Sequence, residues 1–435
     1  MVEKAIPWHQ YVLPFSCLHT AHTRDQEFWN CRLQPILSRM LSASGSSLTE
    51  TESQLDFFSQ CVSPYLGKRP PRFGIRHPSW HSFMTDDGTP IELSWSWSEN
   101  DTDMEMLPAV RYSIEPLANR SKRDTPSSNV YGNEVFLQKA SVCCTDVDMS
   151  WYQLLSDVLI QKEQSFPKGR SSTGERESQI FWAFDLQGSQ RLLKVYYVLN
   201  ARAESMECSK LDLLMQAVSK LSLDSSMLAA LENFRSFVES SPDDLEIEML
   251  GFDCIDPMKS RIKIYFRSRK TCFDEVCRIM SLGGKSNFVD RGALQPLKQL
   301  WYSVLSLDPG MPTSRSLPEK NHRTAGILYY YELRPGSTSV KTKVYIPVRH
   351  YGINDHKIAE GLSGFLKSRN TKLKNCDYIE ILKKTWPRRS LEKGLGLHTY
   401  VTCAISKAGK LNVTTYFNPE LFRTARSWRK KPFSV

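Results

Sequence analysis

The chain has 435 residues and a mass of 50.0 kDa; 40% of the residues are hydrophobic and 24% charged, with 20 Phe, 17 Tyr and 10 Trp. That composition can bury a large core, which excludes a disordered, collagenous or coiled-coil protein. The 57 basic and 47 acidic residues leave a net charge of +10 and a pI near 9.0, which points to an anionic partner: nucleic acid, an acidic lipid surface or a phosphorylated small molecule.

At roughly 150 residues per domain the length fits three domains or one large barrel. The 11 cysteines are odd in number and scattered from Cys17 to Cys403 without regular spacing, so no disulfide framework is expected and a reducing cytoplasm is the predicted location. Met1 to Pro14 lacks an apolar signal region, and no run approaches the ~18 uninterrupted apolar residues of a membrane span.

In chain order, Phe28, Trp29, Leu33, Ile36, Leu37 and Met40 predict a helix, and Ser47-Leu48-Thr49-Glu50 predicts a capping box opening a second. Polar stretches at Ser42 to Ser53, Asn119 to Glu134, Glu163 to Gln179 and Asp308 to Gly326 read as loops. Leu211, Leu214, Val218 and Leu221 share one helical face; Met227, Leu228, Leu231, Phe234 and Val238 share another. Arg423, Arg426, Arg429, Lys430 and Lys431 form a short basic tail around Trp428.

The strand patterns are the most informative. Leu193-Lys194-Val195-Tyr196, Arg261-Ile262-Lys263-Ile264-Tyr265 and Lys343-Val344-Tyr345 each set a Lys and a Tyr on one face and aliphatics on the other. A related strand without the Lys, Val413-Thr414-Thr415-Tyr416, follows, so the device recurs at roughly 70–80-residue intervals with helical segments between. If helices cover the aliphatic face, the cations and phenols must line the lumen of a closed sheet. With Arg111 of Val110-Arg111-Tyr112-Ser113-Ile114 they form a cluster suited to a diphosphate, and tyrosine π faces can stabilise a carbocation while excluding water. Glu92 alternates with Ser94 and Ser96 in Thr89 to Trp97 and is the candidate acceptor of a ring N–H or O–H proton.

Competing motifs are incomplete. Asp86-Asp87 lacks the further acid of a magnesium motif, Asp243-Asp244-Leu245-Glu246 is a weak imitation, and there is no CxxC pair. Pro78 breaks the helix that His77 and His81 would need, Gly283-Gly284-Lys285-Ser286 lacks the first glycine of a P-loop, and Phe365 replaces the final glycine of a nucleophile elbow.

Thr85 to Trp97 (TDDGTPIELSWSW), Lys194-Val195-Tyr196, Phe252 to Tyr265 (FDCIDPMKSRIKIY), Gly326 to Gly336 (GILYYYELRPG) and Lys343 to Asp355 (KVYIPVRHYGIND) occur in that order. In these segments the sequence resembles the fungal aromatic (indole) prenyltransferases of the dimethylallyltryptophan synthase type. The resemblance implies an α+β fold: one antiparallel β-barrel ringed by α-helices, built from repeated αββα units. It would span residues 1–435 as a single domain, with an N-terminal helical segment over about 1–65 and a basic tail over about 423–435. It implies an enzyme of fungal secondary metabolism that moves a dimethylallyl group from dimethylallyl diphosphate to an aromatic acceptor, with no metal or other cofactor.

By position, Arg111, Lys194, Arg261, Lys263 and Lys343 would grip the diphosphate, Tyr196, Tyr265, Tyr345, Tyr400 and Tyr416 would shield the allyl cation, and Glu92 would hold the acceptor. The sequence departs from the family at Phe181, where the tryptophan C4 enzymes carry a lysine, at Lys343, where some members have Gln, and in a Tyr400 to Tyr416 interval one residue longer. Glu246 and Glu248 stand where free-tryptophan enzymes carry an arginine. Acids there would repel a carboxylate, so the expected acceptor is an indole alkaloid or a tryptophan-containing cyclic dipeptide; a phenolic polyketide or tyrosine-derived acceptor is the alternative. Non-catalytic binding of an isoprenoid diphosphate or of nucleic acid is a remote third reading, the latter unsupported by any nucleic-acid motif. A homodimer stays open, since the oligomeric state is unreadable from the sequence.

Overall fold

A computed structural model describes residues 23–70, 80–99, 107–117, 129–161, 178–241, 245–284, 294–369, 378–406 and 409–422. The readings made for Met1 to Pro14, His77, Asp243-Asp244, Lys285-Ser286 and the basic tail fall outside these residues, as do most of the polar stretches 119–134 and 163–179.

Among the described residues ten antiparallel strands close into a barrel: β1 (Ile91–Ser98), β2 (Ala109–Ile114), β3 (Ile180–Gln187), β4 (Gln190–Val198), β5 (Leu245–Asp253), β6 (Ile262–Ser268), β7 (Ile327–Arg334), β8 (Ser337–Ile346), β9 (His398–Ile405) and β10 (Leu411–Phe417). Each pairs with its sequence neighbours, and β1 also pairs with β10, leaving no edge. Ser94 is the closing position, opposite Arg111 on one side and Tyr416 on the other.

Helices separate the strand pairs. They are α1 (Arg24–Ala43), α2 (Leu48–Phe57), α3 (Val130–Cys143), α4 (Ser150–Leu159), α5 (Asn200–Ser205), α6 (Lys210–Val218), α7 (Ser225–Glu239), α8 (Phe273–Met280), α9 (Leu294–Leu305), α10 (Val348–Tyr351), α11 (Asp355–Ser368) and α12 (Tyr378–Thr385). Helices followed by two strands thus recur five times, as the repeated Lys-x-Tyr device suggested. Among the described residues no helix is long and apolar enough to cross a membrane.

The period of two decides which side faces where. Trp95, Trp182, Val195, Ile264, Phe266, Tyr329 and Val344 point outward into the core shared with the helices, each apolar side chain contributing roughly 1.5–3 kcal/mol on burial. The intervening side chains are forced into the lumen, where Tyr265, Leu328, Tyr330, Tyr345 and Tyr400 form a second buried cluster.

Three local expectations change. Residues 130–134, the end of the loop expected over Asn119 to Glu134, are the start of α3. The loop expected over Ser42 to Ser53 shrinks to residues 44–47, because the Ser47 hydroxyl caps Glu50 N (3.3 Å) while Glu50 reaches back to Ser47 N (2.8 Å) and starts α2. Leu228, assigned to the apolar face of α7, is 52% exposed; the helix buries Met227, Leu231, Phe234 and Val238 without it.

Candidate active site in the barrel lumen

At one level of the lumen, strand register stacks cations against carboxylates. Arg111 faces Asp185, Lys194 faces Asp253, Lys263 faces Glu332, and Glu332 faces Lys341. Lys194 Nζ donates to Asp185 Oδ2 at 2.5 Å and stands 3.8 Å from Asp253; Arg261 Nε donates to Asp253 at 2.6 Å, and its Nη1 reaches Glu332 at 3.4 Å. Lys263 Nζ lies 3.4 Å from Asp253, and Lys343 Nζ donates to Thr414 (2.9 Å) and Asn412 (3.3 Å). Arg111 is 3.2 Å from Asp185, yet its buried Nε makes no hydrogen bond.

The electrostatics of this level are unbalanced. Burial would raise the Asp185 carboxyl, but Arg111 and Lys194 outweigh it and hold the group at about 2; Asp253 is depressed for the same reason by Lys263, Lys194 and Arg261. Six cations, Arg111, Lys194, Arg261, Lys263, Lys341 and Lys343, share three carboxylates, Asp185, Asp253 and Glu332. The excess appears in the lysines: burial, then Arg261, brings Lys263 down to about 7, and burial, then Arg111 and Lys341, pushes Lys343 well below its ordinary value. Such a cluster is arranged to receive an anion of high charge density.

Tyrosines form the next level. Tyr265 makes edge contacts with Tyr196 (5.9 Å between centroids), Tyr330 (5.5 Å) and Tyr345 (5.9 Å), and Tyr345 meets Tyr416 (5.7 Å) and Tyr400 (6.0 Å). Phe181 stacks on Tyr196 at 4.6 Å with 4° between planes. The Lys263 and Lys343 ammonium groups lie 6.0 and 5.8 Å from the Tyr330 and Tyr345 rings, so the cage borders the cations. Gly251 makes room for this wall: a Cβ there would meet Tyr196 Cδ1 at 2.5 Å.

Above the cage lies a cavity of about 730 Å³ including its open mouth, lined by Glu92, Tyr196, Tyr265, Tyr345, Tyr400, Tyr416 and the mouth residues. Glu92 accepts a 2.6 Å hydrogen bond from Thr399; burial, only partly offset by that bond and by Arg349, pushes its carboxyl up to about 7. Arg349 is buried, with Nη1 3.2 Å from Asp86 and Nη2 donating to the Tyr400 hydroxyl at 3.2 Å, but its buried Nε has no partner. Arg267 grips Glu248 through both carboxylate oxygens, the second arm being 3.0 Å long.

All eleven site residues read from the sequence therefore face one lumen. The sequence reading missed Tyr330, Lys341, the three carboxylates, Arg267 and Arg349. Tyr330 and Lys341 had a signal, since each continues the alternation of Glu332 or Lys343. Arg267 had one too, since it continues the alternation of Lys263 and Tyr265 on β6; Arg349 had none, because it lies on the short α10 and not on a strand.

The reasoning from the two acids is also corrected. Glu246 bonds Lys210 (2.8 Å) and Arg269 (3.4 Å) at a half-exposed position, and Glu248 is neutralised by Arg267. Each acid is thus paired with a cation, which weakens the repulsion of a carboxylate inferred from them. Among the described residues no group of His, Cys, Asp and Glu side chains is arranged to hold a metal ion.

The profile of the family described as tryptophan dimethylallyltransferase matches residues 25–380. A 4-O-dimethylallyl-L-tyrosine synthase of Claviceps purpurea (strain 20.1) is 36% identical over 414 residues, covering 92% of this chain and 90% of that protein. A 7-dimethylallyltryptophan synthase of Aspergillus fumigatus (strain ATCC MYA-4609 / CBS 101355 / FGSC A1100 / Af293) is 28% identical over 410 residues, covering 91% and 86%. Among solved structures, AnaPT from Neosartorya fischeri shares the fold with a TM-score of 0.77 at 22% identity, over 92% of this chain and 95% of that one.

Proposed function

The chain belongs to the tryptophan dimethylallyltransferase family and is a prenyltransferase; on that premise we propose that it moves the dimethylallyl group of dimethylallyl diphosphate onto the phenolic oxygen of a free aromatic amino acid, tyrosine first. The observation that carries this reading is that one cavity is lined at once by the tyrosine cage, by Glu92, and by Arg349 with an unused buried Nε–H. An amino-acid carboxylate would satisfy that donor with a charge-assisted hydrogen bond, roughly twice as strong as one to a neutral oxygen. The similarity to a protein named as a tyrosine O-prenylating enzyme supports the same acceptor.

In this mechanism Arg111, Lys194, Arg261, Lys263 and Lys343, with Lys341, hold the diphosphate. As the allylic C–O bond breaks, the electron pair leaves with the diphosphate, whose growing charge these cations neutralise. Tyr196, Tyr265, Tyr330, Tyr345, Tyr400 and Tyr416 present π faces to the allyl cation and keep water away. Arg349 orients the acceptor carboxylate. The phenolic oxygen attacks the cation and its proton passes to the Glu92 carboxylate. We propose that the lysines and arginines supply the charge that a divalent ion would otherwise provide, so that turnover needs no metal.

The test is an incubation with dimethylallyl diphosphate and EDTA against tyrosine, tryptophan, tryptophan-containing cyclic dipeptides and polycyclic phenols, read by mass spectrometry. Tyrosine should gain one C5H8 unit on oxygen. Transfer confined to cyclic dipeptides or polycyclic phenols would overturn the acceptor assignment, and turnover abolished by EDTA and restored by magnesium would overturn the metal-free mechanism.

A further inference from the structure

Outside the barrel, on the helix side of the sheet, two thiols meet that the transfer reaction does not use. We propose that Cys143 and Cys61 form a peroxide-reactive modification site, in which Cys143 is attacked first by a hydroperoxide and Cys61 resolves the product into a disulfide. The sulfurs are 3.1 Å apart, with Cys61 donating to Cys143. Both are free cysteines, although 82 residues separate them in sequence.

The two sulfurs are not equivalent. Cys61 is buried in the π-helical turn Phe58–Val62 that follows α2, among the apolar residues packed on the barrel. Cys143 ends α3 and is half-buried, within reach of a small oxidant. A helix C-terminus disfavours an anion, but Arg191 counters it by donating to the Cys143 carbonyl at 3.5 Å. That guanidinium is fixed over the Phe57 ring at 4.5 Å and bonded to Gln54 and Ser53. The hydrogen bond from Cys61, with Arg191 and Lys139, draws the Cys143 thiol down to about 7, while Cys61 is pushed far up. The adjacent Cys144 is raised by burial to about 12, which leaves Cys143 as the thiolate of the group.

The chemistry balances in two steps. The Cys143 thiolate attacks one peroxide oxygen; the S–O bond forms, the O–O bond breaks, and the other oxygen leaves as an alcohol or water after taking a proton. The Cys61 sulfur then attacks the sulfenic acid; the S–S bond forms, and the S–O bond breaks with loss of water that carries the Cys61 proton. Peroxide is reduced by two electrons and the dithiol oxidised by two. The crosslink closes a loop containing β1 and β2, the strands of Glu92 and Arg111, and therefore restricts the unfolded chain without entering the lumen.

The full chain is titrated with hydrogen peroxide and mapped by peptide mass spectrometry. The Cys61 and Cys143 peptides should become linked with loss of two hydrogens before Cys31 or Cys208 reacts. The melting temperature should rise, return on treatment with dithiothreitol, and leave transfer activity unchanged. In Cys61→Ala, dimedone should trap a sulfenic acid at Cys143. Oxidation of Cys31 or Cys208 ahead of the pair, a Cys143–Cys144 bridge, or dimedone labelling elsewhere would overturn the proposal, and the wild-type map alone is decisive if the variant does not fold.

Discussion

Thr399 donates a 2.6 Å hydrogen bond to Glu92 across β10, although the two residues are 307 positions apart. The bond fixes the carboxyl at the cage rim, and burial gives it a pKa of about 7. If the carboxylate receives the acceptor proton, kcat/KM should rise as pH increases through about 7. Glu92→Gln should remove that limb and cut turnover about 100-fold or more, with donor binding kept. A pH–rate profile of both proteins checks this. A flat wild-type profile, or a limb surviving in the variant, would remove Glu92 from the chemistry.

The same group affects stability. A carboxyl near 7 in the folded chain and 4.5 unfolded keeps its proton longer when folded. Its stabilising contribution is complete below about pH 4.5 and is lost as pH rises to 7. The wild type should therefore lose stability across that window relative to Glu92→Gln, as measured by denaturant midpoints.

Lys263 provides a second proton-linked signal. Burial and Arg261 hold it near 7, and a diphosphate beside it would restore the ammonium form. Diphosphate binding at pH 8 should take up protons, seen calorimetrically as a buffer-dependent heat. Lys263→Ala should weaken that binding about 10- to 100-fold, in keeping with loss of a charge-assisted hydrogen bond of roughly 1.5–3 kcal/mol, and reduce the uptake.

Arg349→Met separates acceptor from donor. Loss of the guanidinium should raise KM for tyrosine about 10-fold or more while the affinity for diphosphate stays the same. Equal losses for both substrates would mean that Arg349 mainly holds the mouth together through Asp86 and Tyr400.

Gly251→Ala tests the cage wall. The added methyl would lie 2.5 Å from Tyr196 Cδ1 and 3.1 Å from the Val195 carbonyl. Displacing Tyr196 also breaks its stack on Phe181. A stability loss of about 1–3 kcal/mol with a larger fraction of water-quenched dimethylallyl alcohol is the expected outcome, read by thermal melts and product analysis.

The sequence by itself determined most of the lining, because a period of two forces Lys194 and Tyr196, Lys263 and Tyr265, and Lys343 and Tyr345 onto one face whatever the rest of the chain does. Those pairs state their orientation locally, and the ordered segments from Thr85 to Asp355 supply the family. What the tertiary structure alone decided is which charges meet. Asp185, Asp253 and Glu332 neutralise half of the cations only because β3, β5 and β7 come round the same closed sheet. The bulge in β5 brings Glu248 to Arg267, which meets its charge, and α10 carries Arg349 to the cavity lining. Periodicity fixes the direction of a side chain relative to its own strand. The partner it meets across the barrel depends on register, closure and bulges, which arise from contacts between residues hundreds of positions apart.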